Sequence, residues 1–216
     1  MALLAEYSCK ATPARRVVEV YDADAYLGDD DAMAAARRQV VAGNGYHLYL
    51  RSLQPDIDVE VTIRIWDTPP TPPADAEDHV PVSIESETGT LVVNQLEYGP
   101  AGEMSLPHPG IYEGHAWWEN RQATADYYTV TLDHPTDHSF EDHLAQAWNS
   151  CPVSERYVLD SPTPAHRSPS TTRNSDHAAS GRSPTAPRTA GRTDRPRRSY
   201  RPSRGRRRMS STATGE

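Results

Sequence analysis

The clearest periodicity in the chain runs from Ile57 to Trp66, where Ile57, Val59, Val61, Ile63 and Ile65 alternate with Asp58, Glu60, Thr62 and Arg64. An apolar period of two places alternate side chains on opposite faces of an extended segment, so this stretch predicts a strand with one face in a core and the other in water. Val80, Val82 and Ile84 alternate in the same way, and Pro81 predicts a strand that starts late or lies at an edge, because proline cannot donate to a ladder. Arg16 to Tyr21, Tyr46 to Leu53 and Leu91 to Leu96 add short strands between turn-forming residues. The richest stretch is Leu106 to Leu132. Two prolines and Gly110 stand near its start, and aromatic and β-branched residues flank Asn120 to Ala123 on both sides. That pattern predicts a hairpin at the centre of the domain. Val153 to Leu159 closes the series as a last strand or extended arm.

Two segments carry helical signals instead. Ala32 to Val41 is rich in helix formers and follows Asp29 to Asp31, which suit both a cap and the positive end of a helix dipole. Further on, Ser139 and Asp142 have the spacing of a capping box, and Phe140, Leu144, Ala147 and Trp148 recur on one helical face. Between strands, Asp67 to Ala74 holds four prolines and predicts a stiff crossover between two sheets, with a proline-recognition ligand as the competing reading. Tyr98 to Gly102 reads as a loop. Short strands separated by frequent turns predict a mainly β fold: an antiparallel two-sheet β-sandwich with one or two short helices.

Composition bounds this domain. From Ser161 to Glu216 there is no Val, Ile, Leu, Phe, Trp or Cys, so the expected organisation is an acidic domain over residues 1–160 and a disordered Arg/Pro/Ser-rich tail over 161–216. Nine basic and 27 acidic residues give the first segment a formal charge of −18, while thirteen Arg against three acids give the second +10. An acidic body disfavours phosphate backbones and speeds encounter with a basic partner. The tail, with Arg197, Arg198, Arg206, Arg207 and Arg208 among its cations, has the chemistry to associate with nucleic acid non-specifically. Two other accounts of it stay open: an intramolecular tether, and an extension without function, as reading high-GC coding sequence past a native stop would give. The first residues lack a basic region and a long apolar run, and no span approaches the ~20 apolar residues of a bilayer crossing, so the default expectation is cytoplasmic. Cys9 and Cys151 have no motif spacing and are expected to be reduced.

With these residues laid out, Val59 to Leu132 resembles a loosely defined group of small, uncharacterised bacterial proteins from high-GC genomes. The resemblance rests on Val61 to Ile65, Pro69 to Pro73, His79 to Glu85, Thr88 to Val93 and Leu106 to Tyr112, and covers about a third of the chain. It implies a β-sandwich and no activity.

Candidate chemistry is sparse. His134, Asp137, His138, Glu141, Asp142 and His143 form the densest set of potential ligands, and His134, His138 and Asp142 could hold a divalent ion for a metal-dependent hydrolase. The competing account is a solvated helix entry, since acids there already serve the cap and dipole. Trp117 and Trp118 point to opposite strand faces, so one should enter the core while the other, near Tyr127 or Tyr128, could present an aromatic platform to a partner. His115, Glu113 and Trp117 share a face. Asp22, Asp24 and Asp29 to Asp31 lack the ligand order of a calcium loop and read as a solvated acidic loop. Neither a nucleophile elbow nor a phosphate loop is present. The expected function is therefore a non-enzymatic domain that binds a basic protein through its acidic surface, in the manner of an inhibitor or immunity protein, without a cofactor. The metal-dependent hydrolase and nucleic-acid association through the tail are the alternatives.

Overall fold

The computed structural model describes residues 1–25, 27–133 and 140–164, for 140–143 the backbone alone. The chain divides into two units, Met1–Pro169 and Ser170–Glu216, and the described residues all belong to the first. Among the described residues ten strands form two five-stranded sheets. The first sheet contains β1 (Leu3–Ala11), β5 (Val59–Trp66), β6 (Asp78–Ser86), β9 (Gly110–Glu119) and β10 (Arg156–Pro162), in the order β1-β5-β10-β9-β6. The second contains β2 (Val17–Asp22), β3 (Val41–Gly43), β4 (His47–Arg51), β7 (Thr90–Gln95) and β8 (Gly99–Ser105), in the order β3-β4-β2-β7-β8. Every pairing is antiparallel except β5 with β10. The mainly β two-sheet expectation holds.

The core follows from the alternation. Val59, Val61, Ile63 and Ile65 meet Val18, Val20, Leu48, Leu50 and Val93 between the sheets, each at most 2% exposed. The helix α1 (Asp30–Gln39) covers part of the second sheet's outer face, where Ala32 and Ala36 pack with Val17, Ala42 and Tyr49. Its start is as expected: Asp29 accepts from the Ala32 amide at 2.8 Å. The sheets are pinned at one corner by Asp22, whose carboxylate accepts from Ser86 Oγ at 2.5 Å and Thr88 Oγ1 at 2.7 Å. Burial opposes ionisation of Asp22, but these donors outweigh it and hold the carboxyl below its usual value. Asp22 is thus a buried structural group and not part of a solvated loop.

Several expectations are corrected. The hairpin across Asn120 does not form: after β9, Asn120 adopts φ 63° and α2 (Arg121–Asp133) follows. The aromatic and β-branched residues there favour a strand locally, but a helix lets them meet a second helix, α3 (Phe140–Asn149). Tyr127 Oη donates to the Ala147 carbonyl at 2.8 Å, and Tyr128 stacks on Trp148 at 5.9 Å. Thr129 and Thr131 return their hydroxyls to carbonyls four residues back, as helical threonines do. There are accordingly three α-helices among the described residues. Of the stretch expected as a loop, only Tyr98 stays in a turn while Gly99 to Gly102 belong to β8, and the N-terminal residues form the edge strand β1. Pro81 lies on β6, at the opposite edge, as expected.

The proline-rich link also differs. It joins β5 to β6 within one sheet, not two sheets to each other. The register places Asp78 level with Val61, so the chain must cross about 14 Å of strand spacing and return about 17 Å along the strands. Eleven residues, 67–77, reach about 34 Å when extended as polyproline, which suffices for a diagonal strap. Pro70 is buried, and with Thr71 and Pro73 it shares a cavity of ≈ 370 Å³ with Arg64, Trp66, Trp117 and Asp160 on the sheet's outer face.

The last strand is neither terminal arm nor edge. β10 fills the middle of the first sheet, and the domain boundary shifts past 160 because Ser161 and Pro162 belong to it. Asp160, 3% exposed, accepts from Arg64 Nε at 2.8 Å and a second guanidinium nitrogen at 2.7 Å, from Trp66 Nε1 at 2.7 Å and from Trp117 Nε1 at 2.8 Å. Gly114 on β9 permits the close approach, since a Cβ there would run into the Asp160 carbonyl. Asp160→Ala leaves a largely buried guanidinium and two indole donors without an acceptor. It is expected to lower stability by roughly 3 kcal/mol, measured by urea denaturation.

Candidate functional site

The outer face of the first sheet carries the residues that alternate with the core. From β5 these are Glu60, Thr62, Arg64 and Trp66; from β10, Arg156, Val158 and Asp160; from β9, Ile111, Glu113, His115 and Trp117; from β6, His79, Pro81, Ser83 and Glu85. The face is divided electrostatically. On the side of β5 and β10 every arginine is matched: Arg64 with Asp160, and Arg156 with Glu60 at 3.5 Å and Glu119 at 3.0 Å. The Arg64 guanidinium also lies 5.5 Å and 5.6 Å from the ring centres of Trp66 and Trp117.

On the side of β9 and β6 the balance is different. Neither strand contains Lys or Arg, and Glu85, Glu87 and Glu113 have no ion pair among the described residues. Tyr46, 47% exposed, stands beside Glu85, whose carboxylate pushes the tyrosine hydroxyl above its usual value. Ile111, directly opposite Glu85, is 48% exposed. Beside them a shallow trough of ≈ 440 Å³ is bounded by prolines 69, 70, 81 and 162, with Ser83, Glu113 and His115 supplying its polar groups. The rings of His79 and His115 meet edge to face at 5.8 Å. The arrangement offers anionic and apolar contacts side by side; Glu113 and His115 share the face, as expected.

No protein-family model and no curated protein sequence matches the chain. Two solved structures resemble it. One is ComJ from Bacillus subtilis, an inhibitor of the DNA-degrading activity of NucA; the likeness covers 74% of this chain and 96% of that one, at 11% identity and a TM-score of 0.46. The other is described as crocagin biosynthetic gene J, covering 76% of this chain and 100% of that one, at 16% identity and a TM-score of 0.42. At these scores neither likeness transfers a residue or a role.

Trp117 and Trp118 do point to opposite faces, but both are buried, at 6% and 4% exposure. Trp118 joins the core, while Trp117 binds Asp160 beside the proline strap, so neither is an exposed platform. His134, His138, the side chain of Asp142, and Arg197, Arg198, Arg206, Arg207 and Arg208 lie outside the described residues. Among the described residues no three His, Cys, Asp or Glu side chains gather as a metal site, and no helix is long and apolar enough to cross a membrane. Cys9 and Cys151 are free, and burial pushes the Cys9 thiol up.

Two polar networks were not foreseen. Under α1, the His47 ring is stacked 4.6 Å from Tyr49 and lies 4.7 Å from Tyr21, with Glu19 Oε1 3.4 Å from Nε2. Burial opposes Glu19 ionisation, but His47 and Asn94 outweigh it and hold the carboxyl low. The second surrounds Glu155, which is fully buried. Ser52 Oγ donates to Glu155 Oε2 at 2.8 Å, and Tyr157 Oη lies 2.5 Å from Oε1 and 2.8 Å from the Arg51 carbonyl. The Arg51 carbonyl also accepts from Arg121 Nε at 3.0 Å, so it does not depend on the tyrosine proton, which can serve Glu155.

Burial is also the main cause of the upward shift of the Glu155 carboxyl, against hydrogen bonds that favour its charge. A raised folded-state value gives stability that is full below the unfolded value of about 4.3 and falls as pH rises through the folded one. Glu155→Gln keeps polar atoms toward Tyr157 and Ser52 and removes the titrating group. It should therefore remove this loss above about pH 4.3, flattening urea-derived stability on the alkaline side. The decline in acid should remain, because Asp22 and Glu19 are held low and lose their contributions as pH falls.

Proposed function

We propose that the folded domain is a non-enzymatic protein-binding module that recognises a basic partner through its acidic surface, as an inhibitor or immunity protein covers a cationic site. The observation that carries this reading is uncompensated charge. Residues 1–160 bear −18, and five of their nine cations are engaged within the domain. Arg15 pairs with Glu97, Arg64 with Asp160 and Arg156 with Glu60 and Glu119; Arg51 and Arg121 donate to backbone carbonyls. The remaining carboxylates produce a field that attracts cationic proteins and repels nucleic acid.

Long-range attraction of this kind weakens as salt shortens the Debye length, from about 30 Å at 0.01 M to about 3 Å at 1 M. The immobilised full chain, treated with nuclease to strip any bound nucleic acid, should retain a protein of basic isoelectric point at the lower salt. Association should slow by at least about tenfold at the higher. Retention that ignores salt, or that selects acidic proteins, contradicts the proposal.

A further inference from the structure

We infer that the partner is read by the outer face of β9 and β6, where a basic, extended segment lies across the proline trough with its guanidinium or ammonium groups on Glu113 and Glu85. The inference rests on the proposed protein-binding role and assigns it a surface and a ligand chemistry. Three features of the face select that occupant. Its carboxylates are unmatched, whereas those on β5 and β10 are already paired to Arg64 and Arg156. Its trough is lined in part by four prolines, apolar surface suited to the methylene stems of long cationic side chains. At its end, Ile111 and Tyr46 are half exposed beside Glu85, placing apolar anchors next to charge as protein interfaces do.

The free edge of β6 does not serve instead. Pro81 has no amide hydrogen, and the Glu85 amide already donates to the Gly45 carbonyl at 2.6 Å, so the edge cannot accept a continuous added strand. The partner segment therefore meets side chains rather than backbone. The cavity beside α3, bounded by Lys10, Asp56, Asp58 and Trp148, is less suited. There Asp58 accepts from Thr12, Asp56 accepts from Tyr128, and Lys10 supplies a positive charge.

The test uses the full chain and a fluorescent decapeptide in which arginine alternates with alanine, compared with the same peptide carrying citrulline, which keeps the shape and removes the charge. Anisotropy titrations at low salt should show binding of the arginine peptide only. Glu113→Gln together with Glu85→Gln should weaken it about tenfold or more, while Asp126→Asn, on the exposed face of α2, leaves it unchanged. Amide shifts on titration should centre on Ser83, Ile111, Glu113 and His115. Unchanged melting temperatures establish that the variants fold. If the peptide binds but ignores the Glu113 and Glu85 changes, or shifts amides elsewhere, this surface assignment is overturned and the acidic-domain reading stands. If no cationic ligand is retained by the unaltered chain at low salt, the protein-binding proposal fails and takes this inference with it.

Discussion

One carboxylate fixes the arrangement of the first sheet. Asp160 on β10 takes donors from Arg64 and Trp66 on β5 and from Trp117 on β9, so the same residue reads the position of both neighbouring strands. A slip of one residue in either pairing would turn those donors to the opposite face and leave a buried charge without partners. Such an ion pair contributes little net stability compared with an apolar replacement, but its disruption is expensive. Its value lies in excluding other registers. Because β10 runs parallel to β5 in the centre of the sheet, the strand nearest the end of the domain joins β1 and β5 to β9 and β6.

The same arrangement shapes the charge on the surface. Asp160 and the Arg156 pairs absorb the cations of the central strands, and the proline strap lies beside Trp66 and Trp117. What stays open is the half formed by β9 and β6, which has carboxylates, a proline-lined trough and no cation of its own. A rigid sheet holds these groups in place, so recognition needs little ordering of the surface itself.

Strand and core positions were legible wherever one periodicity prevailed. Val59 to Ile65 and Val80 to Ile84 alternate, and Val59, Val61, Ile63, Ile65 and Ile84 reach the interior, with Val80 and Val82 partly buried against it. Asp29 as the cap of α1 was equally readable. The region of Tyr127 to Thr131 misled because local β preference competes there with packing against Trp148, a contact between distant residues that no local pattern reports. The strap was misread for a related reason: prolines announce an extended link but not which sheets it joins. Asp160 and Glu155 look like ordinary acids at the end of a strand. Only the parallel insertion of β10 buries them, and an alternating Glu-Arg-Tyr-Val-Leu-Asp stretch gives no hint of a parallel neighbour. For the candidate site, Glu113 and His115 were visible as one face, whereas their lack of compensating charge appears only once Arg64 and Arg156 are seen to be engaged elsewhere.

Amide hydrogen exchange on the full chain tests this account most directly, because the position of β10 governs both the fold and the charge pattern. If β10 is the central strand locked by Asp160, the amides of Val158, Leu159 and Asp160 exchange only through global unfolding and share the protection of Val61 and Ile63 on β5. Exchange of β10 at the rate of the edge strand β1, with β5 still protected, would show that the sheet stands without it and would contradict the account.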